Sequence, residues 1–414
     1  MNSLYSLYKN ALFWNIQSAL VYKLLLITHQ TFLFYITPQE LFGHAGTLFA
    51  SLFFLISITN FGFDYSLISL FSRQYTDKKN ISIVRFLIYK IISSCIVAGI
   101  IWYAYHTLHI SYLSFLFQKL SPWVMYTYLS LYITENTKKT LALHADLSFQ
   151  NKQHFFVEIG SLLGYICTVW GIYFYTQTID LPILIVPFSV WSLIECILLF
   201  WFVSTTISQT KTGHAVSILS DQPLNYINQM FKTLYSTNSL FMIVSWQYGF
   251  AKVGSIKLLL DGISFLHTFL YKTIGTPLAA LYARDQHIPH LQRTLQSYSI
   301  TLGITWTCII IAMSLYHYLY SSIPEIITLV CIISISFLEY AQIPYEKILL
   351  VQQKAWIIFM YYSVGIIQGG IICVVATYLH IHIPFIFFIF MSKMYALLFI
   401  QKHAQKFANF EKKF

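Results

Sequence analysis

The chain has 414 residues, of which 57% are hydrophobic and only 10% charged, with a net charge of +10 and a mean hydropathy of +0.64. Soluble domains carry about 25% charged residues, so a soluble fold is excluded, and continuous apolar runs of roughly 20–25 residues exclude the short alternating strands of a membrane barrel. The basic residues are dispersed among short loops without interleaved aromatics, which excludes a nucleic-acid surface.

Taken in order, the apolar runs predict twelve membrane-spanning helices at 11–36, 46–71, 84–108, 120–141, 155–176, 181–203, 227–250, 256–281, 296–319, 324–345, 355–379 and 383–401. The first has no small-residue cleavage site and is expected to be a retained span rather than a signal peptide. The second ends in Asn60-Phe61-Gly62-Phe63-Asp64 and Leu67-Ile68-Ser69-Leu70-Phe71-Ser72-Arg73, which places a carboxylate within the apolar run and an arginine at its end. The fourth is expected to continue past the membrane through Glu135, Lys138 and Lys139. The seventh is diluted by Asn228, Lys232, Ser236, Thr237, Asn238 and Gln247.

Charge placement follows this count. Assigning the termini and even-numbered loops to one side gathers Lys9, Arg73, Lys78, Lys79, Arg85, Lys138, Lys139, Lys152, Lys211, Arg284 and the C-terminal lysines there, against Lys119, Lys252 and Lys257 opposite. Lys and Arg concentrate in cytoplasmic loops, so a multi-pass protein of the cytoplasmic (inner) membrane with both termini cytoplasmic is expected.

Several features recur half a chain apart. Gly160 and Gly164 in the fifth span match Gly365 and Gly369 in the eleventh; Pro122 matches Pro324, and Pro182 matches Pro384, at nearly constant offset. Leu278-Ala279-Ala280-Leu281-Tyr282-Ala283-Arg284 is a degenerate copy of the run ending at Arg73. The expected architecture is therefore all-α, with two parallel six-helix bundles, 1–210 and 211–414, around a central cavity.

Ionisable residues within spans are costly and point to function. Lys23 and Lys272 lie near mid-membrane by helical rise, and Lys393 is central in the twelfth span. These three are candidates for a cationic cavity receiving an anionic group, since an ammonium suits phosphate or diphosphate. Asp64, Glu195 and Glu339 are candidates for carrying a coupling proton or cation, whereas Lys90 and Glu158 are expected nearer the inner interface. Internal ion pairs, such as Asp64 with Lys272, account for the acids equally well, whereas mid-membrane depth rules out easy snorkelling of Lys23 and Lys272 and favours a functional role for them. The six cysteines sit in apolar runs and read as buried small hydrophobes. His44, His267 and His317 lack metal-ligand spacing, and no Walker A loop occurs, so neither metal nor other cofactor is expected.

The Asn10…Phe13-Trp14-Asn15 start, the Asn60-Phe61-Gly62-Phe63-Asp64…Phe71-Ser72-Arg73 ending of the second span and the twelve-span layout resemble the polysaccharide (O-antigen type) flippases of the multidrug/oligosaccharidyl-lipid/polysaccharide exporter superfamily. That resemblance implies translocation of an undecaprenyl-diphosphate-linked oligosaccharide by alternating access. It implies a cationic central cavity, membrane lipids as surroundings, and glycan polymerase or ligase machinery as partners. An antiporter of drugs or organic cations from the same superfamily is the alternative, and mid-membrane lysines count against its cargo. A membrane glycan polymerase or ligase is disfavoured because the external segments are too short for a catalytic loop.

Overall fold

The computed structural model describes residues 2–60, 62–64, 67–68, 83–117, 120–148, 150–207, 222–234, 236–251, 253–254, 257, 334–335, 337–338, 341–342, 345–346, 348–350, 354–378, 391–398, 400 and 402. Every regular element among them is helical: α1 (Asn2–Ile36), α2 (Gln39–Ile58), α3 (Ile83–Tyr103), α4 (Ser111–Phe117), α5 (Pro122–Leu147), α6 (Asn151–Thr176), α7 (Leu181–Ile207), α8 (Gln222–Leu234), α9 (Thr237–Tyr248) and α10 (Ala355–Tyr378). A π-helical turn, Ala104–Leu108, extends α3 and stops at His109, whose φ of 46° is left-handed. Among the described residues five helical segments are long and apolar enough to cross a membrane, Gln39–Ile58 and Leu181–Ser204 included.

The packing is inverted relative to a soluble protein. On α3, Lys90 and Ser94 are fully buried while Ile88, Ile92, Ile96 and Ile100 are exposed. On α7, Ser192 and Glu195 are buried while Leu193, Ile197 and Trp201 face outward. Lipid tails are as apolar as these side chains, so polar contacts and close packing hold the helices together. Lys90 donates to the Thr140 hydroxyl, and Asn136 Nδ2 donates to Ser94 Oγ at 2.8 Å, tying α3 to α5.

Several boundaries differ from the apolar pattern. The helix of the span expected at 46–71 begins earlier, at Gln39, and is interrupted after Ile58, with helix again at 63–64 and 67–68. Thr59 caps it, and Gly62 turns the chain with φ +73°, a conformation that disfavours any side chain. Gly43 and His44, expected in an external loop, lie in the first turns of α2 instead. The diluted seventh span is two helices, α8 and α9, with Ser236 capping the second by accepting from the Ser239 amide. The fourth continues to Leu147, with Pro122 in its first turn. Cys95 and Cys167 are exposed on the helix exteriors rather than buried, and Cys196 is intermediate.

The glycines of the fifth and eleventh spans do equivalent work. A Cβ on Gly164 would meet the Trp191 ring at 2.5 Å, and one on Gly365 would meet the Ser392 carbonyl at 2.7 Å. Gly164 and Gly365 are separated in sequence by the same interval as Trp191 and Ser392.

Candidate functional site: a lysine-lined cleft beside a carboxylate cluster

A cavity of about 220 Å³ opens between α1, α2, α9 and residue 257. Lys23 and Gln30 of α1 line it, with Gly46 and Phe49 of α2, Asn238 and Phe241 of α9, Tyr165, Phe188 and Lys257. The spacing of Lys23 and Gln30, two turns apart on one helix face, puts both on the same wall. Lys257 Nζ donates to Gln30 Oε1 at 2.9 Å and stands 4.9 Å from the Phe42 ring centroid. Its stem runs over Gly46, where a Cβ would come within 2.6 Å of two of its methylenes. Only glycine leaves that path open. The lining thus offers two ammonium groups, two amides and several aromatic faces, a chemistry suited to an anionic group attached to an apolar body.

The second constellation is buried against α1 by α5, α6 and α7. Lys138 donates to Glu135 Oε1 and, at 3.2 Å, to Glu195 Oε2. Ser192 also donates to Glu135, and Ser18 donates to Glu158. Glu158 lies within electrostatic reach of Glu195, and Tyr22, whose neighbour Lys23 lines the cleft, is within reach of the whole group. Glu135 and Glu195 therefore share Lys138, with Glu158 close to Glu195. Carboxylates crowded in this way favour uptake of positive charge, and a proton is the smallest. Below it, Asp146 accepts from His154 Nδ1–H at 2.9 Å and from Asn151 at 3.2 Å, while Asn151 also donates to Asn15 at 2.7 Å. Among the described residues no three His, Cys, Asp or Glu side chains converge closely enough to hold a metal ion.

Two further charge groups are internal pairs. Asp64 faces Lys90 at 3.4 Å and Lys139 at 3.3 Å. In the C-terminal half, Lys232 Nζ lies 2.7 Å from Glu346 Oε2, and Tyr362 donates to the same carboxylate. Lys393 is fully buried beside them: its charge acts on Glu346, and its carbonyl accepts from Gln342 at 3.4 Å.

Of the residues singled out from the sequence, Lys23 reaches the cleft and Glu195 enters the carboxylate cluster. Asp64 is buried in the Lys90 and Lys139 pairs, and Lys393 joins the Glu346 group. Lys272 and Glu339 lie outside the described residues, as does the facing of Asp64 and Lys272. Lys90, expected towards the inner end of its span, is 0% exposed, and Glu158 is partly buried. Sequence reasoning missed Glu135, Lys138, Gln30 and Lys257. Glu135 and Lys138 were read as the start of a cytoplasmic extension, and Lys257 as an external loop residue. Their i, i+3 spacing on an apolar helix was the available signal for Glu135 and Lys138.

Helix α2 forms a close-packed seam along the cleft. Near its first turns, a Cβ on Gly43 would lie 1.9 Å from the Phe250 carbonyl oxygen, and one on Gly254 would lie 2.3 Å from that of Gln39. Beyond its other end, a Cβ on Gly62 would lie 2.5 Å from the Tyr226 amide nitrogen. Backbone therefore meets backbone near both ends of α2.

No protein-family model matches the chain, and no curated protein matches it. Solved structures do. The chain superposes on the MATE transporter ClbM in complex with Rb+ over 96% of its own length and 94% of that chain, with 13% identity and a TM-score of 0.60. The eukaryotic MATE transporter AtDTX14 is matched at 12% identity, 98% and 97% coverage and a TM-score of 0.58. The Vibrio cholerae MATE transporter VcmN is matched at 12% identity, 100% and 98% coverage and a TM-score of 0.57. The chain accordingly has the all-α, membrane-spanning, two-bundle fold of the MATE transporters.

Proposed function

We propose that this protein is a secondary antiporter of the cytoplasmic membrane, working by alternating access around the cleft between its two bundles. Uptake of a proton by the Glu135–Glu158–Glu195 cluster drives export of a cargo that carries a negatively charged group. The observation that carries the reading is the pairing of a cleft lined by Lys23 and Lys257 with an acidic cluster one residue away at Tyr22. The full-length likeness to MATE transporters moves the reading from the flippase expected from sequence to the antiporter. One of those structures holds Rb+, which supports cation binding by a chain of this fold. Here an ammonium already occupies the centre of the carboxylates, and a proton on Glu195 or Glu135 need not displace it.

We place the division between bundles at 210/211, supported by the equivalent Gly164–Trp191 and Gly365–Ser392 contacts on either side. The Asp64–Lys90–Lys139 and Lys232–Glu346 groups are assigned structural roles, since each acid there is already matched by cations. With no enzyme chemistry assigned to any residue, no cofactor is required.

A second reading concerns the cargo. The two cleft lysines favour a lipid-linked oligosaccharide diphosphate over an organic cation, because an ammonium attracts a diphosphate and repels a quaternary amine. Binding separates the two. A fluorescent prenyl diphosphate should bind the purified protein and lose about tenfold or more in affinity in the Lys23→Ala/Lys257→Ala variant, the loss typical of one charge-assisted bond. Tighter binding of ethidium by that variant, with no change for the diphosphate, would assign an organic-cation cargo.

A further inference from the structure

A second cavity lies apart from the cleft. A groove of about 550 Å³ runs along the outer surface between α6 and α7. Lys152 stands at one end, and Phe156, Gly160, Trp191, Leu198 and Phe202 form its walls. Its apolar body comes from a specific local arrangement. Gly160 removes a side chain from the middle of the α6 wall, and a Cβ there would meet nothing within 4 Å. The Trp191 ring is fixed as the far wall: its Nε1 donates to Thr168 Oγ1 at 3.0 Å, its carbonyl accepts from Ser161 at 2.9 Å, and its edge packs on Gly164.

Depth and charge identify an occupant. From Lys152 to Ser161 is nine residues of helix, about 14 Å, roughly half the ~30 Å hydrocarbon core. The groove therefore covers one leaflet. Lys152 sits in the first turn of α6, on the side to which the sequence pattern assigns the Lys-rich loops, and its side chain is exposed, reaching over the Trp14 ring at 5.7 Å. A cation at headgroup level above an apolar slot of one-leaflet depth is complementary to an anionic phospholipid.

We propose that this groove is a binding site for an anionic membrane phospholipid of the Lys-rich leaflet, with its phosphate at Lys152 and one acyl chain lying over Gly160 against Trp191. The residues lining this groove are distinct from those lining the cargo cleft.

The test uses the full-length delipidated protein in detergent, titrated with phosphatidylglycerol and with phosphatidylcholine of identical chains and read by native mass spectrometry. Wild type should retain phosphatidylglycerol about fivefold better, the value of one lysine at a membrane surface. Lys152→Gln should abolish that preference while leaving phosphatidylcholine unchanged. Gly160→Leu should fill the slot and reduce both lipids. Bromine-labelled acyl chains should quench Trp191, seen as the quenching lost in Trp191→Phe. Equal retention of the two lipids by wild type, or retention indifferent to both Lys152→Gln and Gly160→Leu, would overturn the assignment. Preferential retention of a prenyl diphosphate over phosphatidylglycerol would also overturn it and give the groove to a lipid-linked cargo.

Discussion

Gly43→Ala tests the seam most sharply. The added Cβ would stand 1.9 Å from the Phe250 carbonyl oxygen, and 3.0 Å is the shortest separation such carbons show. The helix must therefore move away from residue 250 by roughly 1 Å, and rotation cannot relieve it because the obstacle is backbone. Overpacking of this kind costs about 1–3 kcal/mol. The cost applies only while this end of the cleft is closed. In an alternating-access equilibrium it favours the state open at that end by roughly 5- to 150-fold. The assay is labelling of a single cysteine at Gln30, in a background lacking the native cysteines, with a membrane-impermeant maleimide. Labelling from the face of residues 37–38 should accelerate, and labelling from the Lys-rich face should fall. Gly62→Ala should do the reverse, because its clash with Tyr226 lies at the other end and its φ of +73° adds strain. Normal folding with unchanged labelling in both variants would refute the seam.

Other outcomes follow from the buried charges. Lys138→Ala should destabilise the protein by about 3 kcal/mol, because Glu135 and Glu195 lose their cation; Glu195→Gln added to it should recover part of the loss in thermal unfolding midpoint. Asp64→Asn should cost a similar ~3 kcal/mol by leaving Lys90 buried without its carboxylate, whereas an Asp64→Asn/Lys90→Met variant should regain stability and retain transport. Loss of transport from that stable double variant would show that Asp64 has a role beyond pairing. Tyr362→Phe should cost about 1–2 kcal/mol through the hydrogen bond to Glu346, measured by the same unfolding assay.

Much of the fold was legible because lipid leaves so few solutions for a backbone. Run length gave the helices, and Lys23 and Glu195 stood out because a charge inside an apolar run is conspicuous. Registers were less legible. The break after Ile58 depends on Gly62 meeting Tyr226, a contact between residues far apart in sequence. Lys90 looked interfacial because its partners, Asp64 and Thr140, come from two other helices. Lys257 looked external because sequence cannot show that Gly46 clears a path for its stem. Glu135 and Lys138 were visible as charges, but their meeting with Glu195 and Ser18's helix is a property of packing.

The central claim is exchange of a proton at the carboxylate cluster for a negatively charged cargo in the lysine-lined cleft. It is tested most directly by purified protein in proteoliposomes containing a pH-sensitive dye. Addition of a prenyl diphosphate should change the internal pH, and Lys23→Ala/Lys257→Ala and Glu135→Gln/Glu195→Gln should each abolish the change while remaining folded. A pH change evoked by ethidium instead, and preserved in both double variants, would contradict the account.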